Sequence, residues 1–514
     1  MIIINVLLLL IPNIFFLKEK YNIIIADHLI IIGVFLSLIA SFAICSLIIY
    51  YVNLTCFIIL NCIIYLLNSV VSYFQFFYKI IISPTLIQAI FRTDVKETIE
   101  LINLSLIMWV IFIGILPCYL LVLANNKITN IKFSFLKLIK SIVIISTILI
   151  STNVVLIGKD AIYLRIVSNS LLSFMPYNYL FGIINYYKIY YRDNNIVQDI
   201  NKVAISTIEN DTNNINIVLI IGESSRSDRW AINGYHRPTN PNLANIENII
   251  TFSNIYSLAT DTSGGVNAIM KNSIYDNYSS FISIFNILNF DTYWLSNQGI
   301  KYKTINSIAK EAKVMLFSDD IRATKVGNNY DIDLLPFITQ SSNHEHNKLI
   351  VIHTMGSHRL YDLRYPLEFK KFQPVCVNGE TYYSVHECRD LTKLNNSYDN
   401  TILYTDFFIS EVIKIFKNKK TLLIYISDHG ESLGEEGAFA HAYPLAEAPI
   451  EQLHIPLIFW ASDQWLSDDI LHQKFNQLLD KKNNFFDQSN IFHTILDCVN
   501  IKSKLINKEK SMCQ

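Results

Sequence analysis

The sequence predicts a chain of two classes, an α-helical membrane domain of about five transmembrane helices followed by an α/β domain on a largely parallel sheet. Three observations predict it. First, 51% of the 514 residues are hydrophobic and 17% charged, against roughly 25% charged in soluble domains. Second, apolar runs of spanning length crowd the N-terminal part. Third, from Asn216 onward short β-branched runs alternate with polar and helical stretches, the pattern of strands buried on both faces. The length alone exceeds one ordinary core. A formal net charge of -1 supplies no basic field for nucleic acid, and none is expected as a partner.

The apolar segments fall near 2 to 17, 29 to 52, 54 to 78, 103 to 124 and 138 to 157, each near the roughly 20 residues that cross a bilayer as a helix. The first is short and carries Pro12. No small-residue cleavage site follows it, so a retained helix is expected rather than a signal peptide. Lys127, Lys132 and Lys137, with Lys140 just beyond, mark the loop from Asn125 to Leu138 as cytoplasmic. Everything after about residue 158 is then delivered to the opposite side of the membrane.

By the same alternation Ser83 to Glu100 lies outside. Leu86, Ile87, Ile90 and Phe91 oppose polar positions that include Arg92, Asp94, Lys96, Glu97 and Glu100, which predicts an interfacial helix. Pro176 to Tyr191 is dense in tyrosine, a residue that favours the membrane-water boundary, and is expected to lie along it. Residues 192 to 214 have the polar, Asn-rich composition of a linker. The expected domains are therefore 1–160 in the membrane, 161–214 as bridge and linker, and 215–514 as the catalytic domain.

In that last part, residues 215 to 222, 348 to 354 and 421 to 430 contain the clearest strands, and each leads into ionisable residues. Ligands of open α/β sheets gather at the carboxyl ends of strands. Glu223, His353 or His358, and Asp428 with His429 are therefore candidates to converge. Carboxylate oxygen and imidazole nitrogen suit Zn²⁺. His358 and His441 are further candidates for the same cleft. The nucleophile is expected in YSLATDTSGG, where Thr260, Thr262 and Ser263 precede two glycines that permit close backbone approach to an anion. A threonine hydroxyl needs a base or a metal to become nucleophilic. Of the eight cysteines, Cys376 and Cys388 close a short loop suited to a disulfide in an oxidising compartment.

Taken together, IVLIIGESSRSDRWAINGYHRPTNPNL, NSYDNTILYTD at 396 to 406 and SDHGESLGEEGAFAHAYPLAEAPIEQLHIPLIFW at 427 to 460 resemble the phosphoethanolamine transferases of Gram-negative envelopes. That family includes the lipid A-modifying polymyxin-resistance enzymes and belongs to the alkaline phosphatase and sulfatase superfamily. The resemblance spans nearly the whole chain. It implies a sulfatase-like periplasmic domain anchored in the inner membrane, with Zn²⁺ held by Glu223, Thr262, Asp428 and His429; a monomer is expected, although the sequence itself leaves the oligomeric state open. It implies Thr262 as the nucleophile, which takes phosphoethanolamine from phosphatidylethanolamine, releases diacylglycerol, and passes the group to lipid A or another lipopolysaccharide component. His358 and His441 match histidines on the substrate side, and Thr93 and Glu97 match polar positions that hold the donor head group.

The sequence also departs from that pattern. The family's Cys-Gly-Thr-x-Thr is Leu258-Ala259-Thr260-Asp261-Thr262 here, and Ala268 and Ile269 stand where a second cysteine is expected. Asp261 sets an extra negative charge beside the nucleophile, where it would bind metal or oppose an anionic phosphodiester. Gly-Ser-His-Gly-Pro becomes Gly-Ser-His-Arg-Leu at 356 to 360, and Ala89 replaces an asparagine. The metal site alone leaves open a phosphoglycerol transferase, or an inactive homologue that binds envelope lipid. No Cys-x-Pro-x-Arg or Ser-x-Pro-x-Arg segment supplies the formylglycine nucleophile of a sulfatase.

Overall fold

The computed structural model describes residues 1–20, 28–78, 82, 86–87, 90–91, 101–127, 135–157, 174–193, 198–208, 214–275, 277–299, 303–317, 330–343, 345–376, 388 and 390–514. Thr93, Glu97 and most of the expected interfacial helix lie outside them. The chain divides into two compact units, Met1–Tyr190 and Tyr191–Gln514.

In the first unit, helices Ile2–Lys20, His28–Val52, Leu54–Tyr78 and Phe135–Ile157 occupy four of the expected apolar segments. The remaining segment runs from Leu104–Trp109 through a π-helical turn, Val110–Ile115, into Leu116–Lys127. Among the described residues, Leu54–Phe77 and Leu104–Asn125 are long and apolar enough to span a bilayer, and Ile2–Asn13 and Leu36–Val52 are shorter apolar stretches. Polar side chains join the helices inside. Asn5 Nδ2 donates to Ser46 Oγ and to Asn61 Oδ1, each at 2.9 Å, and the Tyr65 hydroxyl donates to Asn5 Oδ1. In lipid such bonds hold helices together where the hydrophobic effect cannot. Gly114, within the π turn, packs so closely that a Cβ would stand 2.7 Å from Ser69 Oγ. The tyrosine-rich segment forms helix Tyr177–Asp193.

The second unit is built on an eight-stranded sheet among the described residues. Its strands, with β1 (Ser206–Ile208) and the ribbon of β8 (Ser432–Leu433) and β9 (Phe439–Ala440) outside it, are β2 (Asn216–Gly222), β3 (Ile249–Tyr256), β4 (Asp291–Ser296), β5 (Val314–Leu316), β6 (Lys348–His353), β7 (Thr421–Ser427), β10 (His454–Ala461) and β11 (Phe486–Asp487). The order is β11-β3-β10-β7-β2-β6-β4-β5. Strands β7, β2, β6, β4 and β5 run parallel, and β10 lies antiparallel to both β7 and β3. Every residue of β2, β6 and β7 is buried, as parallel central strands covered on both faces require. Ile217, Leu219 and Ile221 share a core with Val266 and Ile269 of helix Thr262–Met270 and with Ile491 and Ile495 of helix Ser489–Cys498. Register alignment sets Gly222 beside Ser427, and Ile221 beside both His353 and Ile426. The chain therefore leaves three adjacent strands at one level, and Glu223, Thr354 and Asp428 emerge together.

The segment expected to be a linker is partly integrated into this unit. Ile200 is fully buried in its core, and β1 pairs with β12 (Ile501–Ser503), with Ser206 opposite Ser503. Isoleucines spaced among polar residues gave the stretch a linker's composition while still supplying core contacts. The Cys376–Cys388 bridge is present, and Cys498–Cys513 forms a second one.

Candidate active site

Glu223 follows β2, and its carboxylate is wholly buried. Its Oε1 accepts a hydrogen bond from Ser224 Oγ at 2.7 Å, and its Oε2 accepts one from Gln298 Nε2 at 2.9 Å and one from Thr262 Oγ1 at 3.2 Å. Ser224 adopts φ 55°, a left-handed conformation that turns the chain sharply at the strand end and is uncommon outside glycine. Gln298 is held in turn by the Thr354 carbonyl at 2.9 Å.

Thr262 opens the helix Thr262–Met270. Asp261 is its N-cap, accepting from Gly264 N–H at 3.1 Å. This accounts for the extra acid beside the nucleophile candidate, because a carboxylate at a helix N-terminus satisfies an orphan amide and complements the helix dipole. The two following glycines are required by close packing. A Cβ on Gly264 would meet Ala259 Cβ at 2.5 Å, and one on Gly265 would meet the Asp428 carbonyl oxygen at 2.1 Å. Only glycine brings this helix against the end of β7.

Asp428 and His429 follow β7. Asp428 Oδ1 accepts from the backbone amides of Ser224, at 3.1 Å, and His429, at 2.7 Å. His429 Nδ1 stands 2.8 Å from the Gly430 carbonyl. A carbonyl only accepts, so Nδ1 carries the proton and Nε2 keeps its lone pair for the site. That nitrogen stands 3.4 Å from Glu223 Oε1, 3.5 Å from Thr262 Oγ1 and 3.6 Å from Asp428 Oδ2.

The electrostatics of this group call for a cation. Burial pushes the Glu223 carboxyl up, but the surrounding histidines, His429 first, outweigh it and hold the carboxyl below the ordinary carboxylate range. Asp428 moves the other way, well above its ordinary value, because it is buried and faces the Glu223 charge. Asp428 Oδ2 is buried and finds no hydrogen-bond partner. Two carboxylates buried within reach of one imidazole lone pair are costly without a counter-charge. Mixed oxygen and nitrogen donors of this kind fit Zn²⁺.

His441 joins the same cluster, with ligand atoms of Glu223, His429 and His441 all within 4.8 Å of one another. Its Nδ1 stands 2.6 Å from Glu431 Oε2, and the other Glu431 oxygen accepts from the Tyr361 hydroxyl at 2.6 Å. The His441 ring lies 4.3 Å from that of His429 and 6.3 Å from that of His358. Burial holds the His358 imidazole well below its ordinary pKa, against the pull of Glu223. His353 instead stays at the end of β6, with Nδ1 3.4 Å from Ser296 Oγ, and burial takes its pKa down to about 4.

The structure thus brings Glu223, Thr262, Asp428, His429, His441 and His358 into one cluster. Sequence reasoning missed Gln298 and Glu431. Gln298 follows β4, a fourth parallel strand whose end carries no charge, and Glu431 stands three residues beyond Asp428, inside a motif already singled out.

A family model described as sulfatase matches residues 215–501, and one described as phosphoethanolamine transferase EptA/EptB matches residues 37–191. The chain is 29% identical over 450 residues to phosphoethanolamine transferase EptA of Helicobacter pylori, covering 84% of this chain and 80% of that one. It is 26% identical over 496 residues to the Kdo(2)-lipid A phosphoethanolamine 7''-transferase of Escherichia coli, covering 88% and 85%. Among solved structures, the integral membrane lipooligosaccharide phosphoethanolamine transferase A from Neisseria meningitidis superposes with TM-score 0.83 at 23% identity, over 99% of this chain and 97% of that one.

Proposed function

The chain belongs to the sulfatase family, and on that premise we propose that it transfers phosphoethanolamine from phosphatidylethanolamine to lipid A or another lipopolysaccharide component. The observation that carries this reading is the meeting of the Thr262 hydroxyl with Glu223 and His429 beside the unpartnered Asp428 oxygen. A hydroxyl so placed is a nucleophile for group transfer.

In the proposed first half-reaction, Thr262 Oγ1 attacks the phosphorus of phosphatidylethanolamine. An O–P bond forms to Thr262, the bond from phosphorus to the glycerol oxygen breaks, and diacylglycerol leaves with the proton that the threonine gives up. In the second, an acceptor oxygen takes phosphoethanolamine and Thr262 regains its proton. Glu223, Thr262, Asp428 and His429 would hold zinc, which when bound supplies Lewis-acid activation of the hydroxyl and offsets charge developing on the phosphoryl oxygens. Glu223 also orients the nucleophile through the 3.2 Å contact. His441, fixed by Glu431, and His358 line the substrate side, where an imidazole can exchange the protons that the two half-reactions require.

The remaining assignments belong to the same proposal. Five helices anchor the chain in a bacterial inner membrane, with the second unit in the periplasm, and the protein acts as a monomer. Thr93 and Glu97 contact the donor head group. The two bridges, Cys376–Cys388 and Cys498–Cys513, suit an oxidising compartment. The test is incubation of the full-length protein in detergent with fluorescent phosphatidylethanolamine and purified lipid A, with and without chelator. Zinc-dependent release of fluorescent diacylglycerol together with phosphoethanolamine-modified lipid A is expected. Diacylglycerol release only from phosphatidylglycerol would replace the donor, and release from neither lipid would remove the transferase assignment.

A further inference from the structure

Two hydrogen bonds tie the nucleophile loop to the segment that carries His441. Thr260 Oγ1 donates to the Tyr443 carbonyl at 2.5 Å, and the Thr260 carbonyl accepts from Ala442 N–H at 2.7 Å. Thr260 is buried, with 3% of its surface exposed, and stands two residues before Thr262.

The segment it holds is strained. Ala440 and Ala442, on either side of His441, adopt φ of 59° and 68°. Both angles lie in the left-handed region that an alanine Cβ disfavours. Such conformations persist only where surrounding contacts over-determine them. Ala440 is held by its pairing with Ser432 in the two-stranded ribbon of β8 (Ser432–Leu433) and β9 (Phe439–Ala440). Ala442 is held by Thr260. Between these two clamps the imidazole has one side-chain anchor, its 2.6 Å contact with Glu431. Across from it, Ser257 Oγ lies 2.6 Å from the Ala259 carbonyl oxygen and 2.8 Å from that of Asp428, with one proton to donate to either, so the loop that carries Thr260 packs against the end of β7.

We propose that Thr260 is a positioning residue, a strap that sets His441 in register with Thr262 and so determines the rate of head-group transfer. The proposal rests on the transferase reading above. Valine in place of Thr260 keeps the shape and the backbone bond to Ala442 but removes the donor to Tyr443, leaving a buried carbonyl unpaired. Serine keeps the donor. The bland alternative is that the threonine merely stabilises the loop, in which case both variants leave turnover of the folded protein unchanged.

The experiment uses full-length, zinc-loaded protein in detergent, wild type beside Thr260→Val and Thr260→Ser. It measures kcat and KM for phosphatidylethanolamine, zinc content, and backbone hydrogen exchange in the peptide over residues 438–445. For Thr260→Val the expected result is a fall in kcat of about tenfold with KM changed by no more than about twofold. Zinc content stays at the wild-type value, and exchange at Ala442 and Tyr443 quickens. Thr260→Ser restores both rate and protection. Wild-type turnover in Thr260→Val, or equal impairment of the serine variant, overturns the proposal. Should wild type show no turnover, the transferase reading falls and the exchange data decide the strap. Faster exchange in the valine variant alone then leaves Thr260 as a structural contact and overturns its role in transfer, and unchanged exchange removes the strap as well.

Discussion

Glu223 Oε2 stands 3.2 Å from Thr262 Oγ1, although the two side chains are 39 positions apart and belong to different elements. The contact exists because β2 ends at Gly222 while the helix that begins with Thr262 is pressed against the end of β7. This meeting of two strand ends with one short helix gathers Glu223, Thr262, Asp428 and His429, while His441 reaches them from the segment after β9.

Asp428 supplies the most direct test of the metal reading. Its Oδ1 is committed to two backbone amides and its Oδ2 is unpartnered, so Asp428→Asn can keep the first oxygen in place and turn its amide nitrogen toward the site. Zinc affinity, measured by competition with a chelating dye, is expected to fall at least about tenfold. The metal-free variant should nonetheless unfold at a higher temperature than metal-free wild type, because the cost of burying an ionisable carboxyl beside Glu223 has gone. Unchanged zinc affinity would remove Asp428 from the ligand set.

Gly265→Ala tests the packing that brings the helix to β7. The added Cβ would lie 2.1 Å from the Asp428 carbonyl oxygen, a backbone atom that cannot swing aside. A loss of about 1–3 kcal/mol is expected, as for other overpacked cores. Transfer activity should fall further than stability does, because the shift separates Thr262 from Glu223. Thermal unfolding and turnover of the same preparation measure both.

Stability should depend on pH through His493, which is not one of the residues gathered around Glu223. Burial, with Lys510 nearby, lowers its pKa from 6.5 to about 4, and its Nδ1 accepts from Asn507 N–H at 3.2 Å. A depressed histidine pKa means that the fold favours the neutral ring. Its contribution is therefore fully present above 6.5 and is lost as pH falls from 6.5 toward about 4. The thermal midpoint of the full-length protein should drop across that window, and His493→Gln should flatten the drop. An equal drop in the variant would assign the acid sensitivity elsewhere.

Much of this architecture was legible because strong local signals agree with the fold. The three strand-end motifs at Glu223, His353 and Asp428 follow fully buried β-branched runs, and parallel pairing in register carries their ends to one place. The loop proposed to carry the nucleophile was legible from its glycines, although the reason for Gly265 lies in Asp428, far along the chain. Gln298 was not legible, since a neutral amide after β4 gives no charge signal and its value comes only from reaching Glu223 Oε2. The role of Asp261 was equally hidden. A carboxylate beside a nucleophile has several meanings, and the 3.1 Å bond to Gly264 N–H identifies it as a helix cap. The part of residues 192–214 that joins the catalytic unit depends on pairing with β12, almost 300 positions away, which a local composition cannot reveal.

The central claim, that Thr262 carries the transferred group, is tested most directly by intact mass. Purified full-length protein is incubated with phosphatidylethanolamine and zinc, without acceptor, beside Thr262→Ala. The account predicts a phosphoethanolamine adduct that maps to Thr262 and is absent from the variant. An adduct that persists in Thr262→Ala, or none on folded, zinc-loaded wild type, would contradict it.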